Sequence, residues 1–144
     1  MAIKKVNFAI MCEKAFTSAR DGTLNIIGVI EKFTIISRGK KQPSLQPRIS
    51  FSVVVNYAVD GFGEYSQTLQ IIDSFGEDIL KKNGITNGAE LKINIKKGNE
   101  IGGTISRFKN LLASPGKYTL KIFINKKLKK SISFEIKYEQ KAKK

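Results

Sequence analysis

The side chains able to do chemistry here are few in kind: the sequence has no histidine, one cysteine, 12 acids and 26 Lys and Arg. Without an imidazole there is no Ser-His-Asp or Cys-His nucleophile pair, no HExxH zinc motif and no general base with a pKa near neutrality. One thiol, Cys12, cannot build a zinc or iron–sulfur cage. It closes an apolar run and reads as a structural thiol, since a reactive thiolate needs an activating partner and Lys14 is a poor one. Paired carboxylates remain, because glycoside hydrolysis needs only two. The candidates are Asp60 and Glu64, and Asp73, Glu77 and Asp78. These two groups sit at opposite ends of one extended segment, about 30 Å apart at ~3.3 Å per residue, too far to share one bond. The second group falls in one loop and reads as a polar turn, with a weak calcium site as the alternative. The segment Lys97-Gly98-Asn99-Glu100-Ile101-Gly102-Gly103 lacks the P-loop pattern and the following helix that would cradle phosphate. No catalytic residue, cofactor or metal is expected.

Lysine is the chemistry that is abundant. The net charge is +14, and residues 117–144 hold ten lysines against two glutamates. Residues 49–80 hold five acids and no Lys or Arg. Only Arg20, Arg38, Arg48 and Arg107 are arginines, so the planar fork used for specific phosphate and base readout is scarce. The last hairpin carries Lys117, Lys121, Phe123 and Lys137 on its expected outward face, beside Thr119, Ser131, Ser133 and Glu135. Lys126, Lys127, Lys129 and Lys130 cluster at its tip. An aromatic ring among ammonium groups stacks a base while the charges follow phosphate. The ordinary reading is that Phe123 belongs to a core and that the lysines guard a sheet edge.

These residues must be positioned by strands. Period-two alternation, broken every ten residues or so by turn residues, runs through the chain and points to a sandwich or barrel. Strands are expected at Ile3–Met11, Thr23–Ser37 (bent at Gly28), Ile49–Tyr57 and Glu64–Asp73. Ile79–Lys82 reads as a short edge strand, and Leu91, Ile93 and Ile95 as an inward set. Ile101–Leu112 is irregular, with Phe108, Leu111 and Leu112 as anchors. Ile49, Phe51, Val53, Val55 and Tyr57 share one face; Ser50, Ser52, Val54 and Asn56 take the other, which should be mostly wet. Asp21-Gly22, Ser74–Glu77 and Ser114-Pro115-Gly116 are turns, and residues 38–48 a loop. Tyr118, Leu120, Ile122 and Ile124, then Ile132, Phe134, Ile136 and Tyr138, define a hairpin turning at Asn125–Lys127. The expected architecture is all-β: a two-sheet antiparallel β-sandwich, Ig-like or jelly-roll-like, of about eight or nine strands. It forms one domain over residues 1–139, with a charged tail at 140–144.

The run Asp21-Gly22-Thr23-Leu24-Asn25-Ile26-Ile27-Gly28-Val29-Ile30 resembles a stretch of a family of short, uncharacterised bacterial proteins, known only as a domain of unknown function. Tyr65–Asp73 with Gly76 is similar to that family's central strand and turn, and Pro115-Gly116-Lys117-Tyr118 to its closing hairpin. The resemblance spans roughly residues 3–138. It implies a cytoplasmic sandwich protein and brings no activity or site residues. The strong basicity departs from relatives that tend to be acidic.

One cysteine and no signal-like N-terminus suit a reducing compartment, so a cytoplasmic protein is expected. No apolar run approaches the ~20 residues that span a bilayer, so no membrane partner is expected. The composition and motifs point to a non-enzymatic binding or interaction module of unknown ligand, meeting a protein through loops 38–48, 58–63 and 97–104 or through the basic hairpin. The alternative is a nucleic-acid-binding β-domain, contacting RNA or DNA through the lysine-rich hairpin. A histidine-free enzyme or a sugar binder ranks last, because Trp is absent and Tyr57, Tyr65 and Tyr118 read as inward.

Overall fold

Alternation in the strongest strands sets the architecture. Ile49, Phe51, Val53, Val55 and Tyr57 are all buried, as are Tyr65, Gln67, Leu69 and Ile71 and, later, Tyr118, Leu120, Ile122 and Ile124. Three strands with one dry face each need facing sheets. The computed structural model describes residues 2–20, 23–38, 48–60, 63–85, 90–95 and 101–141. Among them are nine strands and one short helix: β1 (Ala2–Thr17), β2 (Leu24–Val29), β3 (Lys32–Arg38), β4 (Arg48–Asp60), β5 (Gly63–Ile72), α1 (Ile79–Lys82), β6 (Leu91–Ile95), β7 (Ile101–Leu112), β8 (Gly116–Ile124) and β9 (Lys127–Lys141). They form a four-stranded sheet, β2-β1-β4-β7, and a five-stranded sheet, β3-β9-β8-β5-β6. The two-sheet sandwich expected from the sequence is therefore the observed fold. All strand pairs are antiparallel except β3–β9, which is parallel.

One core fills the space between the sheets. At one end, Phe51 of the four-stranded sheet lies among Phe33, Phe134 and Phe108, with ring centroids 5.8, 6.5 and 5.3 Å away. Tyr118 stacks on Phe134 at 5.4 Å. Tilted and stacked pairs of this kind contribute about 0.5–1.5 kcal/mol each beyond burial. Further along, the Thr104 hydroxyl donates to Gln67 Oε1 across the sheets at 2.6 Å.

Several expectations are corrected. The stretch Thr23–Ser37 is two strands, β2 and β3, one in each sheet. Gly28 has φ +70°, and the chain leaves the first sheet just after it. Ile79–Lys82 is a helical turn, not an edge strand. The Asp78 carboxylate accepts from Leu80 N at 3.0 Å as its cap, and the adjacent Ile79 and Leu80 are both buried, which a strand cannot do on one face. Ile101–Leu112 is a regular 12-residue strand. Its pattern is hidden because Thr104 and Ser106 are opposite Val55 and Val53 on the inward side. Leu91 and Leu112 are exposed rather than inward. Strand β9 continues to Lys141, two residues into the expected tail. The Asp21-Gly22 turn, loop 39–47 and segment 96–100 lie outside the described residues.

The far face of β4 is not wet either. Val54 and Ser52 are buried, and Val54 joins Cys12 and Ala15 in a second apolar cluster with Ile26 and Ile105. The end of β1 and β2 form a ribbon, and Arg107 on β7 donates to Ala15 O at 3.0 Å. Because β4 lies between β1 and β7, that bond requires the ribbon to fold over β4. The ribbon covers the Cys12 thiol, and burial pushes its pKa up.

Candidate functional site

Strands β8 and β9 turn on Asn125 and Lys126, at φ +48° and +68°. Two left-handed residues in a two-residue loop form the tight turn whose twist matches a hairpin. The tip is fixed from the side: Asn125 Oδ1 accepts from Ser66 N at 2.9 Å, and Asn125 N donates to Ser66 O at 2.8 Å. The hairpin's register then decides where each lysine goes. Lys117 is opposite Glu135, Thr119 opposite Ser133, Lys121 opposite Ser131 and Phe123 opposite Leu128. With Tyr118, Leu120 and Ile122 buried between them, Lys117, Lys121 and Phe123 face outward. Lys137, next to buried Ile136, shares that face and sits beside Thr34 of β3.

The eight expected contact residues do not form one patch. Lys130 is opposite buried Ile122 in the regular register, and a bulge between Ile122 and Phe123 then sets Leu128 opposite Phe123 and Lys127 opposite buried Ile124. Those two lysines therefore leave the sheet on the core-facing side, where the hairpin end keeps them exposed. Phe123 is neither free nor core: it is half-buried on the outer face, with Thr68 on one side and exposed Leu128 on the other. Lys137 is paired with Glu135 at 3.5 Å. Among the described residues, Lys117, Lys121, Lys126, Lys127, Lys129 and Lys130 have no ion-pair partner.

The outer face also holds a feature that the sequence did not reveal. A shallow depression of about 830 Å³ is lined by Lys32, Ile72, Lys117, Thr119, Ser133 and Glu135, with Asp73 and Ser74 at its rim. Lys32 reaches this face because β3 pairs with β9 in parallel, setting Lys32 opposite Glu135. Nothing in local alternation signals that partner.

The carboxylates serve the loop that carries them. Asp73 Oδ1 accepts from Phe75 N and Glu77 N, both at 2.9 Å. The Glu77 amide is the main reason its carboxyl stays below the usual range, helped by Phe75 N and Lys82. Lys82 pairs with Glu77 and, at 3.4 Å, with Asp73; the Glu77 bond chiefly raises its ammonium pKa. Asp78 Oδ1 accepts from Ile71 N at 3.2 Å as well as capping α1. In place of the calcium alternative, the loop carboxylates bind backbone amides and Lys82. Among the described residues no three His, Cys, Asp or Glu converge. Glu64 lies 4.0 Å from Lys92. The loop presents Phe75, 88% exposed, beside a cavity of about 180 Å³ lined by Ile79, Lys82, Asn83, Leu112, Pro115 and Tyr118 among others. The Tyr118 hydroxyl is held by Ser114 O.

Two stacked sheets with one continuous core and a lysine-bearing hairpin on an outer face define a β-sandwich domain. A model of the family of unknown function DUF6941 matches residues 7–137, and the chain belongs to that family. No curated protein matches the sequence. Among solved structures, the chain is similar to an alkylpurine DNA glycosylase from Pseudomonas fluorescens bound to DNA containing an abasic site analogue. That match has 11% identity and a TM-score of 0.41, and covers 90% of this chain and 30% of the other. A family 123 glycoside hydrolase from Clostridium perfringens matches at 15% identity and TM-score 0.38, over 94% of this chain and 27% of the other. The chain thus spans less than a third of either protein. An immunoglobulin-like protein from Pseudomonas aeruginosa matches at 10% identity and TM-score 0.34, over 92% of this chain and 94% of the other. Among the described residues, no helix is long and apolar enough to cross a membrane.

Proposed function

We propose that this domain is a non-enzymatic, cytoplasmic binding module whose working surface is the β8–β9 hairpin, and that its ligand is single-stranded nucleic acid. The observation that carries this reading is that Lys117 and Lys121, beside the half-buried ring of Phe123 on the outer face, and Lys126, Lys127, Lys129 and Lys130 at the hairpin end have no ion-pair partner among the described residues. Exposed ammonium groups near a fixed ring supply the two contacts that a single strand needs: charge along its phosphates and a surface for a base. Ser66 holds the tip, so part of the ordering cost is met before a ligand arrives. The scarcity of arginine fits binding with little sequence preference.

The test is a titration of a labelled single-stranded RNA with the full chain at low and moderate salt, repeated with Lys121→Glu and Phe123→Ala. Both variants should weaken binding, and the salt response should be steep. Absence of binding at low salt would remove the nucleic-acid reading. A protein partner is the second reading, favoured by Phe75. An exposed ring on a turn fixed by Asp73 has the character of an interface anchor. Capture of a protein that is lost on Phe75→Ser, with no RNA binding, would favour it.

A further inference from the structure

Among the described residues four strand edges are open in the two sheets: β2 and β7 in one, β3 and β6 in the other. An open edge presents unpaired N–H and C=O groups, and natural edges are usually guarded by charge or proline. Three of the four are guarded in this way. β7 carries Lys109, β3 carries Lys32, and β6 carries Lys92, all exposed. β2, with the sequence Leu24-Asn25-Ile26-Ile27-Gly28-Val29, carries no charge and no proline. Its apolar side chains are also in solvent: Leu24 is 37% exposed, Ile27 49% and Val29 64%, and Phe16 on the adjoining strand is 37% exposed. The strand is the outer member of the ribbon that folds over β4, and among the described residues no strand pairs with its far edge.

The charge distribution selects the occupant. The chain is strongly basic, at +14, and a second copy approaching β7, β3 or β6 would set like charges beside one another along the seam. At β2 it would not. An antiparallel pair of identical strands is two-fold symmetric, so β2 fits its own copy without any further partner. That arrangement places the end of β2 that follows Arg20 beside the end of the mate's β2 that precedes Glu31. Both side chains are exposed and neither is paired among the described residues.

We infer that the protein forms a homodimer by antiparallel pairing of β2 with β2 of a second copy, joining the two four-stranded sheets into one continuous eight-stranded sheet. Exposed Ile27, Val29 and Leu24 bury against their counterparts at the seam. The basic hairpin belongs to the other sheet, so a dimer built this way leaves both lysine surfaces open.

Sedimentation equilibrium of the full chain tests this, run from low to high micromolar protein in high salt, where lysine repulsion is screened. A monomer–dimer equilibrium is expected. Ile27→Lys should raise the dissociation constant by about tenfold or more, since it buries a charge at an apolar seam. Ile27 is half-exposed in the monomer, so circular dichroism of the variant should be unchanged. Lys109→Glu, on the opposite edge and exposed, should leave the dimer intact. A chain that stays monomeric at every concentration overturns the inference. So does a dimer that survives Ile27→Lys, or one that Lys109→Glu dissolves.

Discussion

The inter-sheet hydrogen bond makes an unequal pair of substitutions informative. Gln67 is fully buried; its Oε1 accepts from the Thr104 hydroxyl at 2.6 Å, while its Nε2 has no partner among the described residues. Thr104 is only half-buried and borders an open groove of about 420 Å³ shared with Leu24, Val54 and Ile105. Thr104→Val keeps the shape of the side chain and leaves Gln67 with both polar ends unsatisfied, at a cost of about 1–3 kcal/mol. Gln67→Met keeps the length and removes an amide that is already half unpaired. Thr104 is half-buried where Gln67 is enclosed, so the hydroxyl it orphans is cheaper to leave unbonded, and this change should cost less than about 1 kcal/mol or be stabilising. The double variant should resemble Gln67→Met, giving a coupling energy of about 1–3 kcal/mol, the cost of Thr104→Val alone. For a domain of this size ~1 kcal/mol moves Tm by roughly 2–4 °C. Thr104→Val should therefore lower Tm by about 3–10 °C, and the double variant should recover most of that loss. Thermal and urea unfolding followed by circular dichroism provide the measurement. Equal losses for the two single variants, with no recovery in the double, would refute the reasoning, because they would mean that Gln67 is not an isolated amide between dry sheets.

Other substitutions read the backbone and the charged loop. Gly28 sits at φ +70°, so Gly28→Ala should destabilise by about 1–2 kcal/mol in urea unfolding. Lys126→Gly relieves a non-glycine residue at φ +68° and should raise stability by up to about 1 kcal/mol in the same assay. The Asp73 carboxyl titrates below its ordinary 3.8, so the order that it gives the loop is complete above that value and is lost as pH falls through the folded one. Lys82 titrates above its ordinary 10.5, so its contribution is complete below that value and is lost as pH rises beyond it. Amide exchange at Phe75 and Glu77 should therefore accelerate at both extremes, and Asp73→Ala should remove the acid limb. Exchange that is flat with pH after correction for intrinsic rates would contradict the pairing.

The sequence made some elements plain and hid others for identifiable reasons. Strands β4, β5 and β8 stand out because apolar residues recur at every second, core-facing position, interrupted only by Gln67. Strand β7 could not be read this way, since its inward positions include Thr104 and Ser106 and its residues 102 and 103 are glycines. Helix α1 is four residues long and signalled only by Asp78, a cap residue already surrounded by turn-forming neighbours. The switch between sheets after Gly28 and the parallel β3–β9 pair are long-range facts, and no local period encodes them. The hairpin face was legible as far as Phe123. The bulge that turns Lys127 inward and Leu128 outward was not, because a one-residue slip leaves composition unchanged and reverses every side chain beyond it; the inward side of Lys130 follows from alternation with Ile132 and Phe134.

The account rests most heavily on the hairpin as an electrostatic surface, and the salt dependence of RNA binding measures that directly. Lys117, Lys121, Lys126 and Lys129, the unpaired lysines other than the core-facing pair, at ~0.7 counterions per single-strand phosphate contact give a log–log slope near −3, or roughly a 50-fold loss of affinity between about 50 and 200 mM salt. Replacing Lys126, Lys127, Lys129 and Lys130 by Gln should reduce the slope to about −1.5, and the loss to less than about tenfold. A slope near zero, or one unchanged by the four replacements, would contradict the assignment of this surface.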